Sequence, residues 1–147
     1  MLLFPYSQLT AGNSNMSAFS DYLENKVLDH LLGAVPFTAP GTVYFALYTS
    51  APSDAGGGTE VSGGGYSRVA VVNNATNWPA ATAGTKRNGA VITFPEATAA
   101  WGSITAIGIL DAATAGNLLF WTSITSRSVV TGDIPRFNAQ GVSITLN

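Results

Sequence analysis

From Thr42 onward the chain is written in short apolar segments cut by Gly, Asn, Pro and Asp, and no helical stripe survives in that region. Val43, Phe45 and Leu47 alternate with Tyr44, Ala46 and Tyr48, the two-residue period of a strand with distinct faces. Comparable segments follow at Tyr66 to Val72, Val91 to Phe94, Ser103 to Leu110, Leu118 to Ser123, Ser128 to Val130 and Val142 to Leu146. Ile134 to Phe137 is weaker because Pro135 removes a ladder donor. About seven or eight short strands with frequent turn signals predict an all-β fold, a β-sandwich or jelly roll.

Ahead of this region stands one amphipathic helix. Phe19, Leu23, Val27 and Leu31 recur every fourth residue, and Tyr22 and Leu28 widen the stripe. Ser17 or Ser20 can cap its start, Asp21 and Glu24 suit the first turn, and Gly33 followed by Pro36 ends it. The expected organisation is therefore an extended arm over 1–16, a helix over 17–33 packed on the domain, and a β-sandwich over 34–147. The arm begins with the apolar run Met1 to Tyr6, and no charged side chain precedes Asp21.

Charge is scarce throughout. Six basic and eight acidic residues make up 10% of the chain, against about 25% in an ordinary soluble domain. A surface so poor in charge points to a protein docked on others, because mixed charge is what keeps free proteins apart. The basic residues are scattered, which argues against nucleic acid as a partner. The apolar run at the front is interrupted by Pro5, and no segment approaches the ~18 apolar residues of a membrane span, so no membrane association is expected. Cysteine is absent, excluding disulfides, thiolate metal sites and a cysteine nucleophile.

Candidate chemistry is thin. Gly56-Gly57-Gly58 and Gly63-Gly64-Gly65 lie between strands and lack the Lys-Ser/Thr pair of a phosphate loop, so they read as a flexible surface loop. His30, the sole histidine, falls in the last helical turn, where it serves the helix terminus better than a metal. Asp54, Asp111 and Asp133 stand in turn-like contexts. No nucleophile-elbow sequence accompanies His30, so neither enzyme activity nor a metal or other cofactor is expected. Trp78, between Asn77 and Pro79, is the tryptophan best placed to expose its ring to a glycan. Leu2, Leu3, Phe4, Tyr6 and Leu9 of the arm are the expected partner-binding residues, anchoring it to a neighbouring subunit.

Four stretches together resemble a known family. They are Ser20 to His30; Leu47-Tyr48-Thr49-Ser50-Ala51-Pro52-Ser53-Asp54 with its glycine loop; Ile92-Thr93-Phe94-Pro95 through Trp101-Gly102 to Gly108-Ile109-Leu110-Asp111-Ala112 and Gly116-Asn117-Leu118-Leu119; and Val130-Thr131-Gly132-Asp133 with Phe137. In this order they resemble small tailed-bacteriophage virion proteins often labelled tail fibre or minor tail proteins. The resemblance spans about residues 17–146, implies a β-rich virion component made in the bacterial host cytoplasm, and brings no catalytic site with it. A compact, charge-poor β domain with an apolar arm suits a capsid decoration (cement) protein that docks on neighbouring shell subunits such as the major capsid protein, as a homo-oligomer, most simply a trimer. The alternative is a tail fibre or minor tail component with host-glycan binding.

Overall fold

The computed structural model describes Leu9, Asn15, Met16 and residues 18–146. In chain order the elements are β1 (Asn15–Met16), β2 (Ala18–Phe19), α1 (Asp21–Leu32), β3 (Thr42–Ser50), β4 (Thr59–Glu60), β5 (Val69–Val72), β6 (Thr85–Arg87), β7 (Ile92–Thr93), β8 (Gly102–Leu110), β9 (Leu118–Val129), β10 (Arg136–Phe137) and β11 (Ser143–Thr145). This is the sandwich-like all-β fold that the alternation predicts, with a single helix among the described residues.

The main sheet runs β2-β9-β8-β3, and the far edge of β3 is shared by two strands. β5 pairs with Thr42 to Phe45 and β4 with Tyr48 and Ser50, so the glycine-rich chain between them loops along one edge. Two smaller sheets, β1-β11-β6 and β10-β7, supply the residues that face it. Val43, Phe45 and Leu47 of β3 and Ile107 and Ile109 of β8 point into the main core with Ile92, Phe94, Phe137, Val142 and Ile144. The opposite face of the same strands buries a smaller cluster, Ala46, Tyr48, Ala106, Leu110 and Leu118. Coverage on both faces explains why β3 is buried without a break from Phe45 to Tyr48.

Aromatic rings order the core. Tyr66 stacks on Phe94 with centroids 6.3 Å apart and meets Trp101 edge-on at 5.3 Å. Buried Asn88 ties the small sheets together. Its Nδ2 donates to the Ala90 and Asn138 carbonyls, both at 2.8 Å, and its Oδ1 accepts from Val142 N–H at 2.8 Å. Each of these polar atoms is thereby satisfied in the interior.

The helix is shorter than the sequence stripe. Ser20 is its cap, accepting from Leu23 N–H at 3.2 Å, so the helical period cannot extend back to Phe19. Phe19 instead lies in β2, opposite Phe120 of β9. At the other end Ala34, not Gly33, takes the left-handed conformation, with φ 54°. Val35 N–H then reaches back to the Asp29 carbonyl at 3.1 Å, closing the end of the helix. The two segments expected at Leu118 to Ser123 and Ser128 to Val130 are one strand, β9, which is bulged where β8 changes register between Ile104 and Ala106.

Candidate functional site

The site starts from the alternation in β3, which sends Tyr48 to the face away from the main core. Its ring lies across Gly108 of β8. A Cβ at Gly108 would come within 2.9 Å of Tyr48 Cε2 and 3.0 Å of Leu118 Cδ1, so only glycine leaves room for the ring. Tyr48 is 5% exposed. Yet its hydroxyl has no hydrogen-bond partner among the described residues, an uncommon state for a buried polar group. It helps form the floor of an open cleft of about 570 Å³.

The walls come from three segments. One is Asp54 to Gly58, the second is the start of α1 at Ser20 to Tyr22, and the third is the Asp111–Asn117 connection between β8 and β9. Gly58 fixes the first wall. At φ 76° its missing Cβ would sit 2.7 Å from both the Pro52 nitrogen and the Ser50 carbonyl oxygen. Asp54 joins the walls together, its carbonyl accepting from Asp21 N–H at 2.9 Å and its Oδ1 from Trp121 Nε1 at 2.9 Å. Ser20 Oγ also donates to the Leu118 carbonyl. In the third wall Asp111 accepts from the Asn117 backbone N–H at 2.7 Å and from its Nδ2 at 2.8 Å, closing the turn on itself.

A charged network backs the cleft. Arg68 Nε and Nη2 bind Glu60 Oε1 and Oε2 at 2.8 and 2.7 Å, a bidentate pair. Its Nη1 holds the carbonyls of Ala112 and Ala115 at 2.7 and 2.8 Å, so one guanidinium clamps the third wall to β4. Tyr66 Oη donates to Glu60 Oε1 at 2.8 Å and accepts from Leu47 N–H at 3.0 Å. Burial raises the Glu60 carboxyl, but the hydrogen bonds from Arg68 and Tyr66 outweigh it and hold the pKa below the ordinary carboxylate value. Burial, with the Glu60 charge behind it, pushes the Tyr48 phenol up, so its proton stays on at neutral pH. Burial likewise raises Tyr66.

The residues singled out in the sequence are placed elsewhere. Leu2, Leu3, Phe4 and Tyr6 lie outside the described residues. Leu9 is buried in this chain's own core, and its N–H donates to the Arg136 carbonyl at 3.1 Å, so it is not a free anchor for a partner. Asn15 and Met16 pair in parallel with Ser143 and Ile144 of the same chain. Trp78 is 6% exposed and stacked on Phe45 at 6.0 Å, so its face is not open to a glycan. The cause is local: Asn74 Oδ1 accepts from Thr76 and Asn77 N–H, and this turn folds the loop inward. The two glycine runs expected as one flexible loop instead flank β4, and the first of them, Gly56 to Gly58, lines the cleft. His30 Nδ1 accepts from Phe37 N–H at 3.3 Å, tying the chain beyond α1 back to the helix.

A second feature is apolar. On α1 only Leu23 is buried, while Tyr22 and Val27 are partly covered. Leu31 is 71% exposed and Leu32 85%, with Leu28 and Val35 also largely exposed beside them. The cleft and this patch were both beyond sequence reasoning. The signal for the first was the pairing of Glu60 and Arg68 across a glycine run, and for the second the surplus of leucine in the last helical turn.

Residues 18–145 match the family model described as Podophage GP4 fiber I protein gp80. That match bears out the phage virion resemblance carried by the four sequence stretches. No curated protein matches the chain.

Proposed function

Because the chain belongs to the podophage fiber I protein family and is a structural protein of the phage virion, we propose that it is a non-enzymatic fibre subunit that self-associates through the apolar end of α1. The single observation behind this reading is the exposure of Leu28, Leu31, Leu32 and Val35 at one end of one helix. A contiguous apolar patch of this kind marks a protein contact surface rather than an ordinary solvated face. Its charge-poor setting suits a second copy of the chain, since little repulsion opposes close approach of identical surfaces. Closed rotational symmetry is the ordinary outcome, and a trimer is the assembly we favour.

A capsid decoration role is the second reading. The observation favouring it is the compact sandwich itself, which carries neither an extended shaft nor a repeat among the described residues. Neither reading requires a cofactor, nucleic acid or a membrane. Two measurements separate the alternatives. Sedimentation of the purified chain should give a trimer that dissociates when Leu31→Glu and Leu32→Glu are combined. A monomeric wild type would overturn the self-association proposal. Gold-labelled antibody on intact particles should mark the tail, and labelling spread over the shell would select decoration instead.

A further inference from the structure

We propose that Asn88-Gly89 is a modification site held shut by the native fold, and that deamidation there makes unfolding of this chain irreversible. The inference does not rest on self-association through α1, since it concerns a dipeptide in the interior. Asn88-Gly89 is the only Asn-Gly step in the sequence. Asparagine is a chemically labile residue, and a following glycine has no side chain to shield its amide or restrict its approach. The fold requires both residues. Asn88 donates to the Ala90 and Asn138 carbonyls and accepts from Val142 N–H, a combination that only a side-chain amide offers. A Cβ at Gly89 would collide with the Thr76 carbonyl oxygen and stand 3.0 Å from Pro79 Cδ, so only glycine fits. The node that joins the small sheets is thus built from a reactive pair.

In the reaction the Gly89 amide gives its proton to hydroxide and its nitrogen bonds to Asn88 Cγ. The Cγ–Nδ2 bond breaks, and Nδ2 takes a proton from water and leaves as ammonia. Water then opens the cyclic imide at either carbonyl, leaving aspartate or isoaspartate at position 88. The native state withholds each requirement. Gly89 N–H donates to the Asn77 carbonyl at 2.7 Å, and Nδ2 is fixed by two carbonyls at 2.8 Å. Asn88 is 1% exposed, beyond the reach of hydroxide. Its own N–H donates to the Val142 carbonyl at 3.2 Å and its carbonyl accepts from Gln140 N–H at 2.8 Å, so the backbone cannot turn. Unfolding releases all of these bonds together. Either product then opposes return. A carboxylate at 88 has no proton for the Ala90 and Asn138 carbonyls and sets a buried negative charge against both oxygens. Isoaspartate also lengthens the main chain by one carbon between two pinned peptide units. A chain that stays open is therefore modified before it refolds, which is irreversibility of a chemical kind.

The test incubates the purified full chain in mildly alkaline buffer, with and without unfolding concentrations of urea, and dilutes samples into native buffer over time. Trypsin cuts after Arg87, so mass spectrometry of the peptide that begins at Asn88 reads the exchange of NH2 for OH, and electron-transfer fragmentation separates isoaspartate from aspartate. In urea the peptide should be modified, and the fraction regaining native tryptophan fluorescence should fall in step with it. Without urea, modification should be at least about a hundredfold slower, because the interior must open first. Asn73, Asn74 and Asn117, none followed by glycine, should stay intact in both arms. A third arm, in urea at mildly acidic pH, starves the reaction of hydroxide and should leave refolding complete, which separates deamidation from aggregation. The proposal is overturned if position 88 stays intact in alkaline urea, if it is modified equally fast without urea, if refolding fails while Asn88 is intact, or if modified chains regain the native fold.

Discussion

On the core side of β3 the Tyr66 hydroxyl accepts from Leu47 N–H and donates to Glu60, while on the other side the Tyr48 hydroxyl has no such partner. Both phenols belong to the same small domain and both lie near the Glu60–Arg68 pair. The core side treats polar groups as structural members and satisfies each of them, as at Asn88. The cleft side leaves acceptors and a hydroxyl unspent. Folding does not depend on that second arrangement, because groups lining an open cleft can be satisfied by water. The comparison therefore separates residues that hold the sandwich together from residues that face the open cleft.

The comparison breaks first, and by the largest effect, at Asn88. Asn88→Ala removes three hydrogen bonds and strands Val142 N–H and the Ala90 carbonyl, while the Asn138 carbonyl keeps its bond from Gly141 N–H. The expected loss is about 4 kcal/mol, equivalent to a fall of roughly 10 °C in melting temperature for a chain this size. A change below 1 kcal/mol in thermal or urea unfolding would mean that the node is not structural.

Arg68→Ala comes next, at about 3 kcal/mol, the low end for breaking a buried ion pair because Glu60 retains some solvent access. It also frees the Ala112 and Ala115 carbonyls, so hydrogen exchange in the Asp111–Asn117 connection should accelerate. The same pair sets an acid limit. The folded Glu60 pKa lies below its unfolded value, so its stabilisation is complete above the unfolded carboxylate range near pH ~4.3 and is lost as pH falls through the folded value. Glu60→Gln should be less stable than wild type at pH 7, and the gap should narrow on acidification. A gap that stays constant down to pH 3 would rule out the charge as its source.

Much of the sandwich was legible in the sequence because burial on one face imposes a period of two. Val43, Phe45 and Leu47 show it plainly, and so does the run from Ser103 to Leu110. Among the two- and three-residue strands, β7, β10 and β11 fall inside the segments expected at Val91 to Phe94, Ile134 to Phe137 and Val142 to Leu146, whereas β1, β2, β4 and β6 were not legible. Thr85-Lys86-Arg87 has no apolar alternation, and only its pairing with Ser143 to Thr145 makes it a strand. The helix was read correctly from Asp21 to its stop at Gly33 but was begun too early, and the last part of its stripe is not covered. Phe19 is claimed by β9, and Leu31 runs past the sheet that would have covered it. Trp78 looked exposed because Asn and Pro flank it, whereas the Asn74 turn buries it. The cleft is hardest to read in advance. Asp54 meets Trp121 across 67 residues and Arg68 meets Ala115 across 47, and neither distance leaves a local pattern.

The smallest expected effect is the sharpest test, because it sets the same substitution against itself on two faces of one sheet. Tyr66→Phe removes a hydroxyl that bonds both Glu60 and Leu47 N–H, leaving one backbone donor stranded and the carboxylate with one partner fewer. It should cost about 1.5–2 kcal/mol, since one of the lost bonds involves a charged group. Tyr48→Phe removes a hydroxyl with no protein partner and keeps the ring over Gly108. Its unfolding free energy should stay within about 0.5 kcal/mol of wild type, on either side of zero. Chemical unfolding of both variants under one set of conditions makes the comparison direct, since the ring and the lost atom are identical. Equal costs at the two positions would show that Tyr48 is as structural as Tyr66, and the distinction between the faces of β3 would fall with it.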